Sequence, residues 1–167
     1  MVTGALIEPR RPNIAHLSEE RVWRVLRSVP DPEIPVLTIV DLGIVRYVRS
    51  QGGSLRVGIT PTYSGCPATE VIRRSIREAL VREGLGEVTL ETVLSPPWTS
   101  EWLSEEGRRK LQAFGIAAPS ARAASSISCP HCGSHEVERL SEFGSTPCKA
   151  HYRCGDCLEP FDLFKCI

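Results

Sequence analysis

The chain has 167 residues, 41% hydrophobic and 24% charged, and its twenty basic side chains are offset by twenty acidic ones. That length holds one ordinary domain and a small module, and that composition is neither disordered nor membranous. Balanced charge leaves no global field to recruit nucleic acid or an anionic membrane, and neither a signal-like apolar run in Met1 to Pro12 nor a membrane span is present, so a cytoplasmic protein is expected.

In chain order, residues 1–17 read as a tail. A helix follows from about Ser18 to Val29, capped by Ser18, with Glu19 and Glu20 in its first turn and Val22, Val25, Leu26 and Val29 on one face. Pro30 stops it. Asp31-Pro-Glu-Ile-Pro35 must run extended and displays two carboxylates, Asp31 and Glu33, in one loop; taken alone, a solvated turn is its simplest reading. Asp41-Leu-Gly43 forms a bend into a strand over Ile44 to Val48, Gln51-Gly-Gly-Ser54 a turn, and Leu55, Val57 and Ile59 alternate as the second strand of a hairpin.

Thr60-Pro-Thr-Tyr-Ser-Gly-Cys66-Pro67 then joins a strand to a helix. Pro67 suits the first helical turn, so Cys66 should sit at the cap or beside it, where backbone N–H groups and the positive helix end face its sulfur. That setting suits a reactive or metal-binding thiolate, while a small buried hydrophobe is the plainer alternative. The helix carries Ala68, Ile72, Ile76, Ala79 and Leu80 on its apolar side and an arginine-rich, solvated side. Val88, Leu90, Thr92 and Leu94 alternate as a third strand, so that strand, helix and strand form a crossover. After Ser95-Pro-Pro-Trp98, in which Trp98 and Trp102 are expected to seal the sheet end, a last helix runs from Ser104 to Phe114. The expected fold is α/β (α+β): over residues 18–116 a mixed three-stranded sheet with packed helices, then a linker over 117–128 that lets a second module fold separately.

That module, residues 129–167, opens with Cys129-Pro-His-Cys132 and, twenty-one residues later, has Cys154-Gly-Asp-Cys157. Two such turns present four thiolates to one ion, the pattern of a zinc ribbon, and in a reducing compartment they point to metal rather than disulfides. An iron–sulfur cluster, which also takes four thiolates, is the alternative. Cys148 and Cys166 lie outside the quartet as further thiols with no role assigned by spacing. His131, His135 and His151 are expected at the surface or beside the ligands. With four basic and six acidic side chains the module is poorly suited to phosphate contacts, so a protein partner is expected.

Asp31-Pro-Glu-Ile-Pro, Asp41-Leu-Gly, Thr60 to Pro67 and Pro96-Pro-Trp resemble the small α/β domain shared by SufT-like and cytosolic iron–sulfur assembly factors. The tail resembles a narrower family: Glu142-Phe-Gly-Ser-Thr-Pro-Cys148-Lys-Ala, Tyr152-Arg-Cys154, Cys157-Leu-Glu-Pro-Phe-Asp and Phe164-Lys-Cys166 look like the ending of the PaaD (PaaJ) family, the D component of the bacterial ring-1,2-phenylacetyl-CoA epoxidase. The resemblance implies phenylacetate catabolism and an accessory, non-catalytic role: maturing or delivering an iron or iron–sulfur centre for the oxygenase or reductase components. Cys66 would be the transient ligand, assisted by Asp31 and Glu33. The chain has neither the paired Glu-x-x-His motifs of a di-iron bundle nor a glycine-rich dinucleotide fingerprint. A cysteine hydrolase would need a base near Cys66, and the one histidine before the linker is His16 in the tail. The other reading is a structural adaptor that holds epoxidase components together.

Overall fold

The computed structural model describes residues 19–51, 54–63, 65–85, 88–119 and 127–165. The tail, Ser18, His16, the centre of the first hairpin turn, most of the expected linker and Cys166 lie outside them. Helix α1 (Glu19–Leu26) has the acidic first turn that its dipole favours, and buries Val22, Val25 and Leu26. Beyond it the chain doubles back: Asp31 N–H donates to Leu37 O at 2.8 Å and Ile39 N–H to Val29 O at 3.0 Å, closing a loop around the two carboxylates.

Strands β1 (Val45–Gln51) and β2 (Ser54–Ile59) pair antiparallel, and β2 pairs parallel with β3 (Val88–Thr92), in the order β1-β2-β3. This is the mixed three-stranded sheet that the alternating patterns predict. Central strand β2 buries Leu55, Val57, Gly58 and Ile59. A Cβ at Gly58 would run into the Tyr47 ring, so any larger residue there would force that ring to move. Crossover helix α2 (Ala68–Arg82) lays Ala68, Ile72, Ile76, Ala79 and Leu80 on the sheet. Its arginine side is not wholly solvated: Arg73 reaches over to Leu90 O at 3.1 Å and Thr92 Oγ1 at 3.2 Å, tying the helix to the edge strand.

The double proline leads Trp98 into the core, where its Nε1–H donates to Leu42 O at 2.8 Å; Trp102 is half-buried beneath the Arg46 guanidinium, 3.2 Å from its ring centroid. Helix α3 (Glu105–Ala113) is capped by Ser104, whose Oγ accepts from Gly107 N–H at 2.9 Å. Asp41 fastens this helix to the turn segment that leads into β1. Its carboxylate accepts from Thr38 N–H (3.0 Å), Thr38 Oγ1 (2.9 Å), Ser104 Oγ (3.1 Å) and Lys110 Nζ (2.7 Å).

Immediately after α3, strand β4 (Ile116–Ala117) enters a second sheet of order β4-β7-β6-β5, with β5 (Val137–Ser141), β6 (Lys149–Cys154) and β7 (Pro160–Phe164). Ala117, where the linker was expected to begin, pairs with Leu163. Phe164 meets Trp98 edge to face at 6.1 Å between centroids, and Ile116, Cys148 and Phe164 belong to the same buried cluster as the first domain's aliphatics. The expectation of separate folding therefore meets a shared core. The reason is compositional: the ribbon's own cluster is only Ala117, Cys129, Cys154 and Phe161 with half-buried neighbours, too little to bury Phe164 as well.

Candidate functional site

Two sulfur-bearing sites emerge. The first is the ribbon quartet. Cys129 and Cys132 stand on a turn closed by Gly133 N–H to Cys129 O (2.9 Å), Cys154 ends β6, and Cys157 lies on the turn into β7 closed by Cys154 N–H to Glu159 O (3.0 Å). All four sulfurs lie within 4.8 Å of one another, with Cys129 to Cys157 at 3.7 Å and Cys132 to Cys154 at 3.5 Å. A tetrahedron with metal–sulfur bonds of roughly 2.3 Å has edges of roughly 3.8 Å, so the donor set fits one metal ion. Backbone N–H groups point at the sulfurs, His131 to Cys129 at 3.4 Å and Cys157 to Cys154 at 3.5 Å.

The Cys157 N–H foremost, with the Asp156 N–H and the neighbouring thiols and against burial, holds the Cys154 thiol down at about 6. At Cys157 the Glu159 N–H works in the same direction, but burial and the three neighbouring sulfurs push the thiol up to about 12. Four thiolates cannot all be charged side by side without a cation, and an ion at their centre would remove that conflict. The histidines stay out of the quartet: His135 Nδ1 is 3.0 Å from Ile127 O, His151 Nδ1 is 3.1 Å from Asp162 Oδ1, and His131 is exposed.

The second site surrounds Cys66. Pro67 is the N-cap of α2, and half-buried Cys66 precedes it, its N–H donating to Tyr63 O and its carbonyl accepting from Thr69 N–H, both at 3.2 Å. Cys66 lines a cavity of about 20 Å³ together with Asp31, Glu33 and Cys148; aliphatic side chains and Phe164 supply much of the remaining wall. Asp31 is not solvated. It is buried, and its Oδ1 accepts from Ile34 N–H at 2.8 Å and Glu33 N–H at 3.0 Å, because two prolines in five residues leave donors that only a short side chain can reach. Burial raises its pKa above the ordinary carboxyl value in spite of those bonds. The Tyr63 hydroxyl is buried with no partner at hydrogen-bond geometry among the described residues, and its pKa is raised by burial and then by the neighbouring Cys66 sulfur.

Cys148, unassigned by spacing, comes from the ribbon. Its loop is held by Gly144 N–H to Lys149 O (2.7 Å), Lys149 N–H to Thr146 O (3.0 Å) and Lys165 N–H to Cys148 O (2.9 Å). The buried Lys149 ammonium lies 3.4 Å from Asp162 Oδ2, which also accepts from Ser145 Oγ at 3.0 Å. So placed, Cys148 Sγ lies 3.0 Å from Thr146 Oγ1 and donates to Glu33 Oε2 at 3.6 Å, across 115 positions of sequence. Burial foremost, then the Glu33 charge, push its thiol up to about 11, with Thr146 opposing.

Comparison with known proteins matches the two parts to two family models: residues 19–92 to "Iron-sulfur cluster assembly protein" and residues 117–165 to "PaaD zinc beta ribbon domain". Over 163 residues, 95% of this chain and 99% of the relative, the sequence is 46% identical to the Escherichia coli (strain K12) protein named as the D component of a 1,2-phenylacetyl-CoA epoxidase. The chain belongs to the PaaD family. Its first part is also 34% identical over 96 residues, 56% of this chain and 90% of the relative, to a Porphyromonas gingivalis Fe-S protein maturation auxiliary factor. A crystal structure of a domain of unknown function, DUF59, from Bacillus anthracis matches with a TM-score of 0.52 at 28% identity, covering 56% of this chain and 90% of that one. No helix among the described residues is long and apolar enough to cross a membrane.

Proposed function

We propose that this chain is an accessory component of the phenylacetyl-CoA epoxidase system, not itself catalytic, which matures or delivers an iron or iron–sulfur centre for the oxygenase or its reductase. Cys66 is the transient ligand. The observation that carries this reading is the placement of Cys66: half-buried at the head of α2, in a cavity it shares with Asp31 and Glu33, inside the span that matches the iron–sulfur assembly family. A cargo ion held by one thiolate and flanking carboxylates passes to an acceptor by ligand exchange, with no change of oxidation state, and a half-buried sulfur is open to an incoming ligand.

The quartet, in this reading, holds a resident structural zinc. Sulfur separations of 3.5 and 3.7 Å support one central ion over a cluster, whose several metal atoms would hold the thiolates farther apart. Zinc would tie the turn before β5 to the turn between β6 and β7 and so hold the ribbon against the first domain. Its chemistry is coordination alone.

Cells grown on phenylacetate test the proposal. Cys66→Ala should leave this chain folded while the epoxidase components are under-loaded with iron or cluster, and adding iron and sulfide to the isolated components should restore activity without this chain. A fully loaded, fully active epoxidase in Cys66→Ala cells would overturn delivery. It would favour the adaptor reading, for which the structure offers a groove of about 280 Å³ lined by Tyr63, Leu94, Pro97 and Trp98, with Leu94 67% exposed.

A further inference from the structure

Deepening that reading, and resting on Cys66 as the transient ligand, we infer that the cargo site spans both parts of the chain: Cys148, carried by the ribbon, supplies a second sulfur and Glu33 an oxygen to a single divalent iron bound at the Cys66 cavity. Three observations lead there. First, among the groups that line the cavity, two thiols and two carboxyls can become negative, and none of the lining residues is cationic. The Lys149 ammonium, whose charge is felt at Asp31 and Cys148, is engaged by Asp162 at 3.4 Å. A cavity whose ionisable groups can all become negative, set among aliphatic side chains and three threonines, favours a cation, and thiolate with carboxylate is a donor set for iron or zinc rather than for magnesium or calcium.

Second, size selects a single ion. About 20 Å³ admits one water-sized occupant, and two thiols are half of what an iron–sulfur cluster takes. Third, the donors line one cavity without already forming an assembled set, for among the described residues the ribbon quartet is the one group of three or more side chains gathered closely enough to hold a metal ion. An ion entering here must draw side chains toward it and displace the Cys148 proton to solvent, which leaves the Glu33 carboxylate, 3.6 Å from that sulfur, free to bind the ion. Binding of that kind is weaker than at a set of ligands already assembled, as release to an acceptor requires.

The experiment uses the full chain with one zinc in the ribbon, under anaerobic conditions, and titrates it with ferrous iron and with cobalt(II) as a spectroscopic probe. A second site with thiolate-to-cobalt charge-transfer absorption is expected. Cys148→Ser and Cys66→Ser should each weaken it at least about tenfold, the lower end of what losing even an outer hydrogen bond to a metal ligand costs, and Glu33→Gln by less. Zinc should stay at one per chain in all three, reporting an intact fold. If either serine variant fails to fold, the wild type still decides: X-ray absorption of the iron-loaded chain must show two sulfur ligands on the iron, and saturating iron must protect the half-buried Cys66 from alkylation as mapped by mass spectrometry. Cys148→Ser binding as tightly as wild type while Cys66→Ser does not would remove Cys148 from the site and leave delivery by Cys66 standing. A wild-type chain that shows no second thiolate-bound ion would overturn the composite site, whereas delivery itself stands or falls on the iron loading of the epoxidase in Cys66→Ala cells.

Discussion

Cysteine serves the ribbon and the Cys66 cavity in opposite ways. In the ribbon four sulfurs converge within 4.8 Å, fixed by turn hydrogen bonds and aimed backbone N–H groups; the Cys157 N–H foremost holds the Cys154 thiol at about 6, while burial and the neighbouring sulfurs outweigh the Glu159 N–H and push the Cys157 thiol up to about 12. At the cavity, Cys66 and Cys148 arrive from different sheets and stand among apolar side chains, and burial rather than crowding is what raises the Cys148 thiol. The lesson is about retention. Ligands pre-assembled by local turns suit an ion held as part of the fold, and the proposed cargo site, gathered from distant segments, would have to rearrange to bind one.

Removing a ribbon ligand should break this contrast most severely. Cys129→Ser should lose the ion, and since structural zinc contributes roughly 10–16 kcal/mol in small zinc-finger peptides, β5, β6 and β7 should lose their protection from hydrogen exchange. Phe164 and Ile116 belong to the larger core, so the unfolding midpoint of the first domain should fall as well. Retention of one tightly bound zinc with a protected ribbon would rule out the four-cysteine site.

Phe164→Ala comes next in size. It removes the ring that meets Trp98 at 6.1 Å and helps wall the Cys66 cavity, and should cost about 3–5 kcal/mol in denaturant unfolding while leaving the ribbon metal in place. A loss below about 1 kcal/mol would mean that the shared core contributes little to stability and that the two parts fold apart after all.

How much of this was legible in the sequence depended on whether the signal was local. The alternation of Leu55, Val57 and Ile59, the apolar face from Ala68 to Leu80 and the paired Cys-x-x-Cys turns all lie within short windows, and they yielded the sheet, the crossover helix and the quartet. The burial of Asp31 was not legible, because it depends on backbone donors that only the folded loop presents. Nor was the position of Cys148. Nothing periodic ties it to Glu33 or Cys66; the tie is made by pairing Ala117 to Leu163, which brings the ribbon against the sheet end. The one local hint was Thr146-Pro147 before Cys148, a turn signal that presents a thiol without saying to what.

Asp41→Ala should cost less, about 2 kcal/mol, since charge-assisted hydrogen bonds contribute roughly 1.5–3 kcal/mol each and Lys110 is partly in water. Burial alone would raise the Asp41 pKa, but Lys110 and the Thr38 donors outweigh it and hold the carboxyl below its ordinary value. A carboxyl lowered by folding stabilises the protein above its unfolded pKa of roughly 3.9, and that contribution disappears as pH falls through the folded value. Wild type should therefore lose stability in acid more steeply than Asp41→Ala. Parallel pH dependences would show that Asp41 does not govern this joint.

The smallest expected effect on stability is at Cys66, and it sharpens the comparison most. Cys66→Ala and Cys129→Ser are both changes at one thiol, but Cys66 is half-buried, and the polar contacts in which it is placed are made by its backbone. Its removal should change unfolding free energy by less than about 1 kcal/mol and leave one zinc in the ribbon, as surface-like substitutions do. The reason is physical. The carbonyl of Cys66 accepts the N–H of Thr69 whatever its side chain, and Pro67 sets the first turn of α2, so the helix start does not need the sulfur. If Cys66→Ala instead unfolds the domain as Cys129→Ser unfolds the ribbon, then its sulfur is structural, the two sites do the same work, and the reading of Cys66 as a transient ligand has lost its basis.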